Sequence, residues 1–293
     1  MKQFLTFLLK TSLLLLILAF GLDLIYTLSG VRTTNRTKID FVYNAPPQEY
    51  DVVMIGSSRA NNHFVAEMFA AQGLKTFNYG MSGGHLFEAD LILKLMLEKK
   101  YKIKNVILEA DLNLSNDKRA DGIMANFLPY LHQSKTIKEH FSTEEDFNYL
   151  YYIPFYRYIK YDSKIGFREF VFNIMNQKTS YLQHLGYHAL EKTKKGKMKN
   201  DIQVLKPLLK NKYYEEIKQL CQKNKINFIP IMTPMCQNTK GIDYFDRVKK
   251  VYPEIYNYEN VVVEDKYFSS CGHMNDTGAR LFTARILKDF FNK

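Results

Sequence analysis

Asp51-Val-Val-Met-Ile-Gly-Ser-Ser-Arg59 runs four apolar residues into a glycine and two serines. A short apolar run closed by a turn signal reads as a strand buried on both faces. Phe64, Met68 and Ala71 then share one helical face, so residues 58–71 predict a helix after the tight turn. The pattern repeats. Lys75-Thr-Phe-Asn78 ends in Gly80 and Gly83-Gly84, ahead of an apolar helix that reaches Lys99 through Leu86, Leu93 and Leu97. Asn105-Val-Ile-Leu-Glu-Ala110 is a third strand, running into Asp111-Leu-Asn113. Further on, residues 213–223 predict a helix and Asn227-Phe-Ile-Pro-Ile-Met232 a strand. Pro230 has no ladder donor, which points to an edge or a bulge. Asn260-Val-Val-Val263 reads as the last strand, and residues 276–291 as a closing amphipathic helix with Leu281, Ala284, Ile286, Leu287 and Phe290. Strands alternating with helices predict an α/β fold, a three-layer sandwich around a central parallel sheet.

Composition sets the frame for this body. Of 293 residues, 46% are hydrophobic and 24% charged, which excludes a disordered chain, a collagen-like chain and a multi-span transporter. The net charge of +11 favours polyanionic neighbours such as nucleic acid, anionic lipid or an acidic wall polymer. Residues 4–28 are almost wholly apolar, with a charge-free stretch between Lys10 and Asp23. At about 1.5 Å per residue they can cross roughly 30 Å of hydrocarbon. Residues 1–30 are therefore expected to be a single membrane anchor, with a cleaved signal peptide ending near Leu28-Ser29-Gly30 as the alternative. No cysteine follows the run to carry a lipid. Lys2 and Lys10 on one side balance Arg32, Arg36 and Lys38 on the other, so charge does not set the topology. Residues 31–50, polar and containing Pro46-Pro47, read as a linker. Residues 51–293 read as the α/β domain, with a helical insertion at about 118–206 where the strand-helix rhythm is lost. Residues 151–200 within it hold ten basic against three acidic residues, read as a solvated helical face.

In an open parallel sheet, ligands bind at the carboxyl ends of the strands. Four such places carry chemistry: Gly56-Ser57-Ser58-Arg59, Asn78-Tyr79-Gly80, Asp111-Leu112-Asn113 and Cys271-Gly272-His273-Met274-Asn275. A serine, a glycine, an asparagine and a histidine follow in that order. A serine hydroxyl needs an adjacent imidazole to take its proton, which casts Ser58 as nucleophile and His273 as base. A helix N-terminus at Ser58 would favour negative charge nearby. The oxyanion of a tetrahedral intermediate needs donors, for which the N–H groups of Ser58 and Gly80 and the Asn113 amide are candidates.

At these residues the chain resembles the SGNH/GDSL hydrolase superfamily, whose four blocks carry Ser, Gly, Asn and His. It is most similar to the membrane-anchored branch that includes the teichoic acid D-alanyl transfer protein and the alginate O-acetylation proteins. Gly56-Ser57-Ser58 matches the first block, Asn78-Tyr79-Gly80 the second, and His273-Met274-Asn275-Asp276-Thr277-Gly278-Ala279 the fourth. The resemblance implies a flavodoxin-like SGNH hydrolase fold held on the outer side of the cytoplasmic membrane. It also implies a serine acyltransferase or esterase moving acetyl or D-alanyl groups on an envelope polysaccharide or teichoic-type polymer. An acyl donor, a polymer acceptor and a membrane-bound O-acyltransferase are the implied partners. Two departures stand out. The third block usually reads Gly-x-Asn-Asp, and only Asn113 stands near it; the acid three residues before the histidine is Ser270 here. A backbone carbonyl, Asp265 or Glu264 would have to orient His273 instead, and a bare Ser-His dyad would work more slowly. A non-catalytic SGNH-like scaffold in a polysaccharide modification or export complex is the alternative. No cofactor, metal or nucleic acid is expected, and His63 and His85 are read as isolated surface histidines. Cys221, Cys236 and Cys271 form no zinc set. Cys236 and Cys271 fall on loops at the carboxyl edge of the sheet, either bridged, tethering the His273 loop, or free and buried.

Overall fold

A computed structural model describes residues 1–34, 36–191 and 198–291. The chain forms two compact units, one of Met1–Ala45 with Asp121–Thr179, the other of Pro46–Ala120 with Ser180–Lys293. The expected insertion therefore divides: residues 121–179 cluster with the N-terminal segment, whereas the chain from Ser180 belongs with the sheet. Lys192, Lys194, Lys195 and Lys197, four of the ten basic residues noted above, lie outside the described residues.

In the first unit, α1 (Lys2–Val31) is one unbroken helix with a mean hydropathy of 2.2 over its most apolar window, none of it buried. It is long and apolar enough to cross a membrane. The expected linker contains a helix, α2 (Lys38–Asn44). Thr37 Oγ1 accepts the Asp40 N–H and Asp40 returns the bond to the Thr37 N–H, a reciprocal cap that a polar segment without apolar period conceals. Short helices fill residues 135–174 and end in an amphipathic helix, Phe167–Ile174.

The second unit is built on a five-stranded parallel sheet. Its strands are β1 (Glu49–Ile55), β2 (Thr76–Asn78), β3 (Lys102–Glu109), β4 (Asn227–Met232) and β5 (Tyr256–Asn257), in the order β2-β1-β3-β4-β5. The chain reverses direction of winding about β1 and β3, whose carboxyl ends carry Gly56 and Ala110. The elements α3 (Ser58–His63), α4 (Ala66–Ala70), α5 (Leu86–Glu98), α6 (Lys212–Lys223) and α7 (Asp276–Phe290) connect and cover it. Val52, Met54, Ile107, Ile229 and Ile231 pack with Phe64, Phe282 and Ile286, while Val53, Val106 and Leu108 point the other way and are equally buried. Truncating a fully buried phenylalanine such as Phe282 to alanine would cost about 3–5 kcal/mol.

Three local readings change. The single helix expected over residues 58–71 is broken at Phe64 and Val65, both extended. Asn78 Nδ2 donates to the carbonyls of Ala60 and Phe64, and the Thr283 hydroxyl donates to His63 O while accepting the Val65 N–H. Side chains thus take the groups that would have continued the helix. The last strand is Tyr256–Asn257 rather than residues 260–263, because the Glu259 N–H folds back onto Asn257 Oδ1 and turns the chain out of the sheet. Finally, β4 lies inside the sheet, yet Pro230 needs no ladder donor there. Ile231 O accepts from Ala110 on the β3 side, so Pro230 and Met232 face the β5 side, where pairing covers only Ile231 and Met232.

Candidate active site

β1 ends at Ile55, and Gly56 turns the chain with φ of +140°, a region that side chains rarely adopt. A Cβ on Gly56 would also stand 2.8 Å from Glu109 Oε2. Ser57 then caps α3, its hydroxyl accepting the Arg59 N–H, while its own N–H donates to Glu109 Oε2 at 2.8 Å. Ser58 is the first residue of the helix and half-buried. Its N–H has no intrahelical acceptor and meets none among the described residues. With six residues, α3 is too short for the dipole expected of the longer helix.

Ser58 Oγ lies 2.8 Å from His273 Nε2. The two residues are 215 positions apart and come from opposite ends of the unit. His273 stands in a short hairpin of Phe268–Ser270 and His273–Met274, turned by Gly272 at φ +105°. Arg59 holds that turn. Buried to 4% exposure, it donates from Nη1 to Gly272 O at 2.6 Å, from Nη2 to Thr233 O and Pro234 O, and from Nε to Asp111 Oδ2 at 2.9 Å. A disulfide between Cys236 and Cys271 ties the same turn to the loop after β4. Cys221 remains a free, buried thiol.

His63 is fully buried, not a surface residue. Its Nε2 accepts the Met274 N–H, which leaves Nδ1 protonated and donating to Thr233 Oγ1; that hydroxyl donates to Asp111 Oδ2. Burial first, and the Arg59 cation second, hold His63 neutral, well below the usual imidazole range. His85 Nδ1 donates to Asn113 Oδ1 at 2.8 Å. Among the described residues no group of three or more His, Cys, Asp or Glu is placed to hold a metal.

Beneath the turn, Glu109 and Asp111 share a fully buried site with Arg59. Burial and the neighbouring Asp111 charge push Glu109 well above the carboxylate range, whereas Arg59 keeps Asp111 low and ionised despite its burial. Glu109 Oε1 has no hydrogen-bond partner among the described residues, a cost that the charged carboxylate would feel most. Around the base itself, burial pulls His273 down to about 4, helped by Arg59 and opposed by Asp111. The imidazole is neutral at pH 7 and can accept the Ser58 proton, as a weaker base than free imidazole.

Gly80 packs against the α3 backbone, where an added Cβ would be 2.4 Å from Asn61 N, but its N–H donates to Asn78 Oδ1 at 2.9 Å. Asn113 is engaged with His85, and no hydrogen bond joins it to Ser58 or His273 among the described residues. Glu264 pairs with Lys266, and Asp265 accepts from Asn238, so neither orients His273. On His273 Nδ1 the nearest partner is the Ser270 hydroxyl at 3.5 Å, longer than a good hydrogen bond. Sequence reasoning missed Arg59, Glu109 and Thr233. Arg59 was visible as a cation set directly after the serine turn, and Glu109 as a carboxyl closing the apolar run Val106-Ile-Leu108.

No protein-family model matches the chain, and no curated protein matches it.

Proposed function

We propose that the second unit is a serine acyltransferase or esterase of the SGNH/GDSL type, held by α1 on the outer face of the cytoplasmic membrane. The observation that carries this reading is the 2.8 Å contact between Ser58 Oγ and His273 Nε2 at the carboxyl edge of a parallel sheet. In the first half-reaction Ser58 Oγ attacks an acyl carbonyl as His273 Nε2 takes its proton. The bond from the carbonyl carbon to the leaving oxygen then breaks, and the same proton passes from Nε2 to that oxygen. Water or a polymer hydroxyl attacks the acyl-Ser58 ester in the second half, again with His273 as base. The Ser58 N–H is the open donor for the oxyanion. Among the described residues no carboxylate bonds His273 Nδ1, and Asp111 is the charge that favours the imidazolium, from a distance. This makes a dyad with a weak base, suited to an activated acyl donor. An acetyl or D-alanyl group and an envelope polymer as acceptor follow from the resemblance in the motif blocks. A disulfide beside the site supports a compartment outside the reducing cytoplasm.

The second reading is a non-catalytic scaffold of the same fold. It is favoured by the serine at position 270 and by the commitment of the Gly80 N–H to Asn78. A serine-reactive fluorophosphonate probe separates the two. Wild-type protein should carry the adduct on Ser58 and the Ser58→Ala variant should carry none; a folded wild-type protein as silent as the variant would favour the scaffold.

A further inference from the structure

The segment from Tyr149 to Met175 exposes an unusual number of large apolar side chains for its length. Ile159, Phe167, Ile174 and Met175 are between 64% and 69% exposed, Tyr152 is 69% exposed and Tyr149 54%. These residues belong to the same compact unit as α1, and their contacts fix their level along it. Asp23 of α1 pairs with the buried Arg157 at 2.7 Å and accepts the Phe155 N–H. Thr27 shares a hydrogen bond with Tyr158, and Tyr26 stacks on Phe170 at 4.5 Å. Phe167, Phe170 and Ile174 follow one another at helical spacing; Phe170 stacks on Tyr26, and Phe167 and Ile174 on either side of it are exposed. Off that stripe, Glu169 is ion-paired with Arg36.

The length of the anchor then constrains where this collar lies. Spanning hydrocarbon takes about 20 residues, but only Thr11 to Leu22 is free of charge, a stretch of about 18 Å. With Lys10 at one boundary, the other falls near Gly30, beyond Asp23 and level with the residues packed on it. With Asp23 at the boundary instead, the collar begins there. In the first case the residues packed on Asp23 lie just inside the hydrocarbon boundary and in the second at it, so in both the exposed apolar residues meet lipid. Asp23 is compatible with that depth because Arg157, 1% exposed, neutralises it. Lys164 and Arg168 in this segment, with Lys178 just beyond it, supply the positive charge that anionic headgroups attract, while Lys160 is paired with Asp146.

We infer that the collar formed by residues 149–175 docks onto the bilayer that α1 crosses, with Phe167 and Ile174 inserted among the lipids and the neighbouring cations on anionic headgroups. The inference rests on α1 being a membrane span and is independent of the chemistry at Ser58. It gives the unit that contains α1 a second point of attachment to the bilayer.

The chain contains no tryptophan, so a single introduced indole reports without background. Full-length Phe167→Trp, Ile174→Trp, Leu16→Trp and Leu209→Trp proteins are reconstituted at low density in phosphatidylcholine/phosphatidylglycerol vesicles. Lipids brominated at shallow or deep acyl positions act as quenchers. The expected result is quenching of Phe167→Trp and Ile174→Trp mainly by the shallow bromines, of Leu16→Trp mainly by the deep ones, and none for Leu209→Trp. Removing phosphatidylglycerol should lessen the quenching at Phe167→Trp and leave Leu16→Trp unchanged. Unquenched emission at Phe167→Trp beside a quenched Leu16→Trp would overturn the inference while the span stands. Emission shifted to the blue, unquenched and dependent on protein density would overturn it in favour of a second copy covering the collar. Silence at Leu16→Trp as well would show that α1 itself does not span.

Discussion

Lowering the pH from 7 to 5 should leave the reactivity of Ser58 almost unchanged. The rate of any step in which His273 accepts the serine proton follows the fraction of imidazole that is neutral. Desolvation in its half-buried hairpin, and behind it the Arg59 cation, pull His273 down to about 4. Protonation would place a second positive charge beside Arg59, which already binds the Gly272 carbonyl next to it. An ordinary imidazole titrating near 6.5 would be about 3% neutral at pH 5, a loss of roughly thirtyfold, whereas one titrating near 4 stays about 90% neutral. The assay is the rate of fluorophosphonate labelling of the full-length protein at constant ionic strength from pH 3.5 to 8, read by intact mass. Each acid sample is returned to pH 7 and labelled again, which separates titration from unfolding. The account expects a plateau down to pH 5 and a half-maximal rate near pH 4. A reversible fall centred near 6.5 would show that neither burial nor Arg59 governs the base.

The acid pair under the site gives a second test. Burial and the Asp111 charge raise Glu109 well above the carboxylate range, so its contribution to stability is present at low pH and is lost as pH rises above the ordinary carboxylate range. Glu109→Gln keeps an acceptor for the Ser57 N–H without that loss, and its melting temperature relative to wild type should rise between pH 5 and pH 8; a falling difference would contradict the assignment. Asp111→Asn removes the counter-charge of buried Arg59 and should cost about 3–5 kcal/mol, measured by denaturant unfolding. A near-neutral result there would mean that Arg59 is held by its carbonyl acceptors alone. Breaking the 35-residue loop closure with Cys236→Ser and Cys271→Ser together should destabilise by about 4 kcal/mol on the chain-entropy account. Non-reducing mass spectrometry of the wild type should find Cys221 as the single free thiol, and three free thiols would remove the bridge.

The first three strands were legible because their signals are local: an apolar run, a glycine turn and a helical stripe lie within a few residues of one another. Ser58 and His273 were legible by order along a parallel sheet, since each follows a strand or opens the last helix, and the structure brings them into contact. What a sequence cannot display is where distant carbonyls converge. Arg59 was plain to see, but its acceptors at Gly272, Thr233 and Pro234 lie 174 to 213 positions away. The same distance hid the pairing of Asp23 with Arg157, and with it the fact that residues 121–179 belong with the anchor. The last strand was misplaced because Val261 to Val263 has the stronger β composition, while pairing with β4 went to Tyr256 and Asn257, where the chain first runs alongside it. His63 was misjudged because a histidine accepting a backbone N–H has no local signature.

Direct acylation is the closest test of whether His273 activates Ser58 for acyl transfer. Full-length protein is exposed to p-nitrophenyl acetate, quenched in acid, and digested so that any acetyl group can be located by peptide mass. The account predicts an acetyl ester on Ser58 in the wild type and none there in Ser58→Ala. In His273→Ala its formation should be slower by about 10² to 10⁴, the usual cost of losing a general base. Acetylation of Ser58 at the same rate with and without His273, or acetyl groups found only on lysines, would contradict it.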